Sequence, residues 1–244
     1  MQAKTFEYKQ PHSTPWHEHE SGQLYWLSDG VIVIETSRAQ WTVTPGSVGW
    51  FPAGLKHKAW VPATAKGRSL YLAAASSIEL PSQPGIYGAD SFVLGLLERV
   101  FRETHAMSSD DYRNNLLTLL GHEIARSDEL PLHLTFPVDR RARNVANALL
   151  NNPGGAWDQT QLAQQWGLSV RSLSRLFRQQ TGLSFSQWRQ QAKIIVSLRW
   201  VLAGLSISDV ALMSGYSNVS AYIEAFRQRF GQTPGQLQAS KIGR

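Results

Sequence analysis

The feature that most constrains the fold of this chain is a residue pattern that occurs twice in its C-terminal half. Equivalent positions are 48 residues apart at the start of the pattern and 49 apart at its end, so the second copy carries one extra residue. The paired positions are Leu162 and Val210, Ala163 and Ala211, Gly167 and Gly215, Ser169 and Ser217, Phe177 and Phe226, Gly182 and Gly231, and Phe185 and Pro234. Each copy predicts a short helix, a glycine-containing turn and a longer helix, which is the layout of a helix-turn-helix.

Local signals mark the ends of both helices in the first copy. Asp158 and Gln161 have the spacing of a capping box at the start of the short helix. Gly167 supplies the positive φ that the turn needs, and Ser169 is suited to cap a second helix over Val170–Gln180.

That second helix divides into an apolar stripe and a basic stripe. Leu173, Leu176 and Phe177 fall on one side and are predicted to pack inward. The opposite side, with i, i+3, i+4 and i+7 spacing, carries Arg171, Ser174, Arg175 and Arg178. Arginines on the outer face of such a helix suit guanine edges and phosphates in the major groove of DNA.

The second copy predicts the same layout with a less basic outer face. Ser206 and Asp209 mark the start of its first helix, and either Ser217 or Asn218 caps the next one. The inward positions are Tyr222, Ala225 and Phe226, and the outward positions are Ser220, Ile223, Glu224 and Arg227. Glu224 would repel phosphates, although it can accept a hydrogen bond from cytosine N4, so we expect the first copy to contribute more to base reading.

The charge of the chain is divided in the same way. Residues 137–244 contain 13 Lys and Arg against 4 Asp and Glu, whereas residues 1–136 contain 11 against 14. A basic half joined to a mildly acidic half predicts a polyanion-binding module and a second module with another role. The absence of cysteine excludes disulfides and fits the cytoplasm. No apolar run approaches the ~20 residues of a membrane span, and the first ten residues contain no signal-like apolar segment.

The two copies are joined by Ser186–Leu202, which predicts a helix of about 17 residues and about 25 Å. Such a helix would hold both units rigidly, so that the second helix of each unit could enter successive major grooves on one face of the DNA. This arrangement predicts an asymmetric DNA site. Further strings in this half are Leu173–Arg178, Val210-Ala211, Gly215-Tyr216, Ala225–Arg227 and Phe230–Pro234. With them, residues 138–237 resemble the AraC/XylS family of bacterial transcription regulators. The resemblance implies DNA-reading roles for Arg171, Ser174, Arg175, Ser220 and Glu224.

The N-terminal half predicts short strands followed by two helices. Strands are expected between Trp16 and Ala75, with a hairpin turn at Asp29-Gly30. The later elements are a Pro/Gly/Ser-rich break over Leu80–Gly88, amphipathic helices over Ser91–Glu103 and Asp110–Ser127, and a linker over 131–137. We expect these two helices to form a hairpin. The hairpin either covers the strands only or, as the family resemblance implies, mediates dimerisation.

Histidines in the strand region form a spaced series. His17 and His19 are alternate residues, so in a strand both imidazoles share a face. The series continues with Gln23, Gly30, Gly46, Pro52, Gly54 and His57, and it resembles the two cupin motifs H-x-H-x3-(E)-x6-G and G-x5-P-x-G-x2-H. The resemblance implies a small barrel with His17, His19, Gln23 and His57 around one mouth.

Two interpretations of this histidine series remain open. Three imidazoles and an amide oxygen can hold a divalent transition metal such as Zn²⁺, Ni²⁺, Fe²⁺ or Mn²⁺. Alternatively, the histidines form hydrogen bonds inside the barrel or to an organic ligand, with Tyr25 on the same strand face as Gln23. The cupin glutamate is replaced by Gln23 and the cupin asparagine by Val61, which argues against an enzyme.

Together these patterns predict an α+β chain of two domains. The predicted divisions are 1–85, a cupin-like effector-sensing barrel; 86–130, a helical hairpin; 131–137, a linker; and 138–244, an all-α domain with two helix-turn-helix units joined by a long helix. The predicted function is a transcription regulator that binds promoter DNA as a homodimer under control of a small-molecule or metal effector, contacting RNA polymerase if it is an activator. The alternatives are a metal-dependent cupin enzyme fused to DNA-binding helices, and an effector-independent DNA-binding protein whose barrel is a scaffold.

Overall fold

The computed structural model describes residues 1–62, 64–73, 79–104 and 109–242. The chain forms two compact units. The first comprises Met1–Thr36 and Trp41–His133, and the second comprises Ser37–Gln40 and Leu134–Arg244. None of the helices in the described ranges is long and apolar enough to cross a membrane.

The strands form two five-stranded sheets. One sheet has the order β1-β8-β3-β6-β9 and the other has the order β10-β5-β4-β7-β2. The strands are β1 (Gln2–Tyr8), β2 (His12–Ser13), β3 (Ser21–Gly30), β4 (Ile32–Glu35), β5 (Ala39–Val43), β6 (Ser47–Phe51), β7 (Lys58–Val61), β8 (Ala65–Ala73), β9 (Gly85–Gly88) and β10 (His133–Thr135). The register of β1 with β8, of β3 with β6 and β8, and of β4 with β7 is antiparallel.

The predicted hairpin at Asp29-Gly30 is wrong, because β3 and β4 belong to different sheets. Strand β3 is paired on both edges, with β6 and β8, so no edge is free for β4. The register shifts between Leu27 and Asp29, and Gly30 has a φ of 79°. This bulge and glycine redirect the chain from one sheet to the other.

Other strand predictions need smaller corrections. Strands begin at Gln2 rather than near Trp16, and β9 lies inside the predicted break over Leu80–Gly88. The predicted strand end at Ala75 lies outside the described residues. Residues 131–137, predicted as a linker, contain β10, and Leu134 and Phe136 are buried. Leu132, Leu134 and Phe136 alternate as in a strand, but the prediction gave more weight to Pro131 and Pro137, which are typical of a linker.

The predicted pair of helices in the first unit is present as α1 (Ser91–Glu103) and α2 (Asp110–Arg126). Asp90 and Ser109 cap their N-termini through side-chain oxygens. The inner sides of both helices pack with Leu24 and Trp26 from one face of β3 in a single apolar cluster. The opposite face of β3 carries Gln23 and Tyr25, which are not part of this apolar cluster.

The second unit is helical, apart from its short extended segments. Its helices are α3 (Arg140–Asn151), α4 (Gln159–Gln165), α5 (Val170–Thr181), α6 (Phe185–Leu202), α7 (Ile207–Met213), α8 (Val219–Phe230) and α9 (Pro234–Ile242). We call α4–α5 the first helix pair and α7–α8 the second helix pair. Both short helices have 7 residues and both long helices have 12.

The two pairs close their turns with the same backbone bonds. Leu168 N donates to Ala163 O at 2.8 Å, and Tyr216 N donates to Ala211 O at 2.9 Å. Gly167 and Gly215 adopt positive φ angles of 66° and 74°. The N-cap of α5 is Ser169 and that of α8 is Asn218, so the extra residue of the second copy lies in this turn.

The start of the helix that follows each pair, α6 or α9, repeats as well. The repeat is visible in the sequence but was not predicted. Ser184 and Gln187 form a capping box at the start of α6. Thr233 and Gln236 exchange the equivalent bonds at the start of α9.

Candidate DNA-binding surface and ligand cavity

The outer face of α5 carries exposed basic side chains, because its inner face fills the core of the second unit. Leu173 and Phe177 are completely buried, and Phe177 contacts Trp188 with ring centroids 5.2 Å apart. Arg171 and Arg175 are exposed, and neither has a hydrogen bond or an ion pair to the described residues. These two guanidinium groups are therefore available to a polyanion.

The other two residues predicted for this face have partners within the protein. Ser174 is half-buried and accepts a hydrogen bond from Gln159 Nε2 at 2.7 Å. Arg178 is exposed and donates through Nη1 to Gly182 O at 3.1 Å, which caps the end of α5.

The outer face of α8 is electrostatically different. Ser220 and Glu224 are exposed and Ile223 is half-buried. Glu224 accepts hydrogen bonds from Arg227 Nη2 at 2.8 Å and from Gln228 Nε2 at 3.1 Å. The charges of Glu224 and Arg227 thus offset each other within one turn of helix.

Helix α6 contacts backbone next to both helix pairs. Lys193 Nζ donates to Gly215 O at 2.8 Å, and Arg189 Nη2 donates to Gly155 O at 3.1 Å. A Cβ added to Gly154 would lie only 2.4 Å from Met213 O. The loop before the first pair therefore packs directly on the end of α7, and only glycine fits this approach.

Three histidines of the first unit converge, as the motif spacing predicted. His17 and His57 form an isolated antiparallel bridge, with His17 N donating to His57 O at 2.9 Å, so His17 does not lie in a continuous strand. One ligand atom from each of His17, His19 and His57 can be chosen so that all lie within 4.8 Å of one another.

The hydrogen bonds of these rings fix which nitrogen is available. His17 Nδ1 lies 2.8 Å from Pro15 O, and His57 Nδ1 lies 2.7 Å from Leu55 O. A carbonyl oxygen only accepts, so each Nδ1 carries the proton and the neutral ring keeps its lone pair on Nε2. Nε2 of His19 and of His57 is buried and has no partner among the described residues.

Burial disfavours the charged form of the His19 and His57 rings. It lowers the pKa of His19, and the neighbouring His17, His57 and Lys4 act in the same direction. Burial also lowers the pKa of His57, although the Leu55 carbonyl opposes the shift. Both effects favour neutral imidazole, the form that binds a metal ion.

Beside this cluster is a cavity of about 320 Å³. It is lined by residues of both sheets, including Val61 and three of the five residues predicted to bind the effector, His17, Gln23 and Tyr25. The other two, His19 and His57, are not among its lining residues. Gln23 is 1% exposed, and its Oε1 and Nε2 have no hydrogen-bond partner among the described residues. Burial raises the pKa of Tyr25, and the neighbouring Tyr71 and Tyr8 act in the same direction, so the phenol stays protonated. The nearby Gln23 amide opposes this shift, although it forms no hydrogen bond of ordinary geometry with the phenol.

Sequence reasoning missed Lys4, Phe6 and Tyr71, which also line the cavity. The alternation of Lys4, Phe6 and Tyr8 was the available signal, because alternate residues of a strand share a face. It was overlooked because strands were expected only from Trp16 onward.

Two family models match this chain. A family model for a helix-turn-helix domain matches residues 162–240, and one for an AraC-like ligand binding domain matches residues 3–120. The chain is 29% identical to the HTH-type transcriptional regulator NimR of Escherichia coli K12 over 227 residues, 93% of this chain and 83% of NimR. This chain is an AraC-type DNA-binding transcriptional regulator.

Other relatives match the regulator over shorter or more divergent stretches. It is 36% identical to the HTH-type transcriptional regulator RipA of Corynebacterium glutamicum over 126 residues, 51% of this chain and 38% of RipA. Among solved structures, ToxT of Vibrio cholerae aligns with a TM-score of 0.43 and 11% identity, over 100% of this chain and 98% of ToxT. The regulator therefore spans most of NimR but well under half of RipA.

Proposed function

We propose that this regulator binds a promoter operator through both helix pairs, and that a ligand in the first unit sets its affinity for that operator. The observation that carries the proposal is the division of α5 into a buried apolar stripe and an exposed face, on which the side chains of Arg171 and Arg175 have no partner among the described residues. In this proposal the regulator is not an enzyme, acts in the cytoplasm as a homodimer, and contacts RNA polymerase where it activates. Its two sheets enclose the ligand as a cupin-like barrel.

Each helix pair acts as a helix-turn-helix unit. Arg171 and Arg175 would contact base edges, Ser174 would contribute a hydroxyl, and Arg178 would hold a phosphate. The second unit would contribute Ser220, Ile223 and Glu224, with Arg227 shared between Glu224 and the DNA backbone. Helix α6, at about 27 Å for its 18 residues, would set the distance between the two units.

Control by the ligand follows from linkage between binding sites. A ligand that prefers one arrangement of the regulator shifts the population toward it, and the operator affinity changes by the same coupling free energy. Helices α1 and α2 would carry the dimer contact.

A divalent transition metal is a second candidate for the effector. His17, His19 and His57 offer three ring nitrogens in one place, and the Nδ1 bonds of His17 and His57 to carbonyls are those of metal-binding histidines. Gln23 would add an amide oxygen. The metal would act by joining the segment from His17 to Gln23 to the segment that carries His57; no catalytic step is assigned to it.

The test is operator binding by the purified full-length regulator, measured by fluorescence anisotropy on DNA from upstream of its own gene and on a shuffled duplex. Metal content is determined in parallel, before and after chelation. Stoichiometric metal whose removal changes operator affinity identifies the metal as effector. Metal-free protein with intact operator binding excludes the metal, and a small-molecule screen then separates an organic effector, which changes operator affinity, from the effector-independent alternative, in which no compound changes it.

Two histidine variants sharpen this test. His17→Ala should abolish the metal response, whereas His122→Ala, which removes an exposed histidine of α2, should leave it unchanged. Equal binding to the operator and to the shuffled duplex under every condition would contradict the proposed function.

A further inference from the structure

The cavity of the first unit is built for a small ligand. Its volume of about 320 Å³ lies at the lower end of the range for small-molecule sites, which suits a molecule of one or two rings. Both sheets contribute to the lining, Phe6 and Tyr71 from β1 and β8, and Val61 from β7.

The least exposed polar side chain that lines the cavity is Gln23. Gln23 is 1% exposed, yet neither its amide oxygen nor its amide nitrogen forms a hydrogen bond to the described residues. A buried polar group without a partner destabilises the folded protein, so retaining Gln23 there is explained by a ligand that satisfies it.

Polar groups continue from Gln23 across three neighbouring strands. Lys4 of β1 and Tyr25 of β3 are both in register with Ser69 of β8. Gln23 is in register with Tyr71, one step along the same face. A ligand in this cavity would therefore meet hydrogen-bond donors on one wall.

The charge of the lining has one sign. Lys4 is exposed at the cavity, with its Nζ 4.7 Å from the centre of the Tyr71 ring. Within the described part of the chain, no Asp or Glu lines the cavity. Such a site favours a ligand with a negative charge.

Aromatic rings form part of the remaining surface, from Phe6, Tyr8, Tyr25 and Tyr71. Tyr25 contacts Phe6 edge to face, with ring centroids 6.2 Å apart, and is held from behind by Phe51, with ring centroids 6.0 Å apart. Rings fixed in this way offer edges and faces to a flat ligand rather than to a flexible chain.

We infer that the organic effector of this cavity is a small aromatic carboxylate, with its acid group at Lys4, its ring among Phe6, Tyr25 and Tyr71, and a polar edge at the Gln23 amide. This inference rests on the proposed function, because it names the class of ligand for the same site.

The probes are benzoate and its neutral counterpart benzamide, titrated into the full-length regulator and followed by calorimetry and thermal shift. Benzoate should bind at millimolar concentration or below, and benzamide about tenfold more weakly, since hydrogen bonds to a charged group are stronger than neutral ones. Lys4→Gln should remove this preference. Lys66→Gln, at an exposed lysine of β8 that does not line the cavity, should keep it.

A second variant separates a ligand-binding role of Gln23 from a structural one. Gln23→Leu should raise the melting temperature of the ligand-free protein, because it removes an unsatisfied buried amide, and should weaken benzoate binding. A lower melting temperature of ligand-free Gln23→Leu would mean that the amide serves the fold, which contradicts the inference.

The remaining outcomes are equally decisive. No binding of benzoate, equal binding of benzamide, or an unchanged preference in Lys4→Gln would each overturn the assignment of an aromatic acid. None of these results would touch the proposed function, which is judged by operator affinity. If operator binding fails while benzoate binds with the expected preference, the proposed function fails and the cavity assignment stands.

Discussion

The two helix pairs of the second unit have the same architecture and different outer surfaces. Their helices have equal lengths, and their turns share the same backbone bonds and a glycine of positive φ. On the outside, the side chains of Arg171 and Arg175 of α5 have no ion pair within the described ranges of the chain, whereas Glu224 of α8 is bound to Arg227. The comparison shows that the inner stripe and the turn fix the fold, which leaves the outer face free to set what each pair recognises.

The largest effect is expected from removing an aromatic residue of the shared core. Phe177→Ala should lower the free energy of unfolding by about 3–5 kcal/mol, because Phe177 is completely buried against Phe185 and Trp188. Chemical denaturation followed by circular dichroism measures this change. Phe226→Ala should cost a similar amount; if only one of the two variants is destabilised, the two cores are not equivalent.

The contact between the pairs should be the next most sensitive feature. Gly154→Ala should destabilise the second unit by about 1–3 kcal/mol, since the new Cβ would meet the Met213 carbonyl. Gly235→Ala is the matched control, because a Cβ there meets no atom of the described residues within 4 Å and alanine favours its helix. Thermal unfolding of both variants should therefore shift in opposite directions, and a neutral Gly154→Ala would mean that the loop moves away freely.

Base reading should depend on the first pair. Arg175→Ala should weaken operator binding by about 1–3 kcal/mol and relax discrimination at one base pair, with an unchanged melting temperature. Titration against operators substituted at single positions measures this effect. Unchanged affinity and specificity would show that the exposed face of α5 is not the reading surface.

The smallest effect is expected on the second pair. Glu224→Gln removes the carboxylate that shares Arg227 with the DNA backbone, so the guanidinium should neutralise its phosphate more fully, with an effect equal to about one added phosphate contact. The salt dependence of binding to DNA of unrelated sequence should then become steeper by about one unit of slope. A shallower slope would contradict this prediction, because it would mean that Glu224 positions the Arg227 side chain to bind a phosphate rather than competing with that phosphate.

The degree to which sequence predicted structure also differs between the two units. In the second unit, helix ends follow from local chemistry, such as the Asp158 cap and the Gly167 turn, and the structure confirms both. In the first unit, strand partners depend on contacts far apart in the chain, which a local Asp29-Gly30 signal cannot report. The hairpin prediction failed for this reason.

The candidate sites show the same difference. The outward positions of α5 followed from helical spacing alone, and the structure places Arg171 and Arg175 on the exposed side. The convergence of His17, His19 and His57 was predicted from a motif resemblance. Lys4 was not predicted at the cavity, because its position depends on the pairing of β1 with β8.

Selection of preferred sites from randomised DNA duplexes tests the central claim most directly, using the wild-type regulator and the Arg175→Ala variant. We predict a two-part consensus about one helical turn apart, with the stronger base preference in one part, and loss of a preference within that part in Arg175→Ala. Absence of any consensus, or the same consensus in both proteins, would contradict the account.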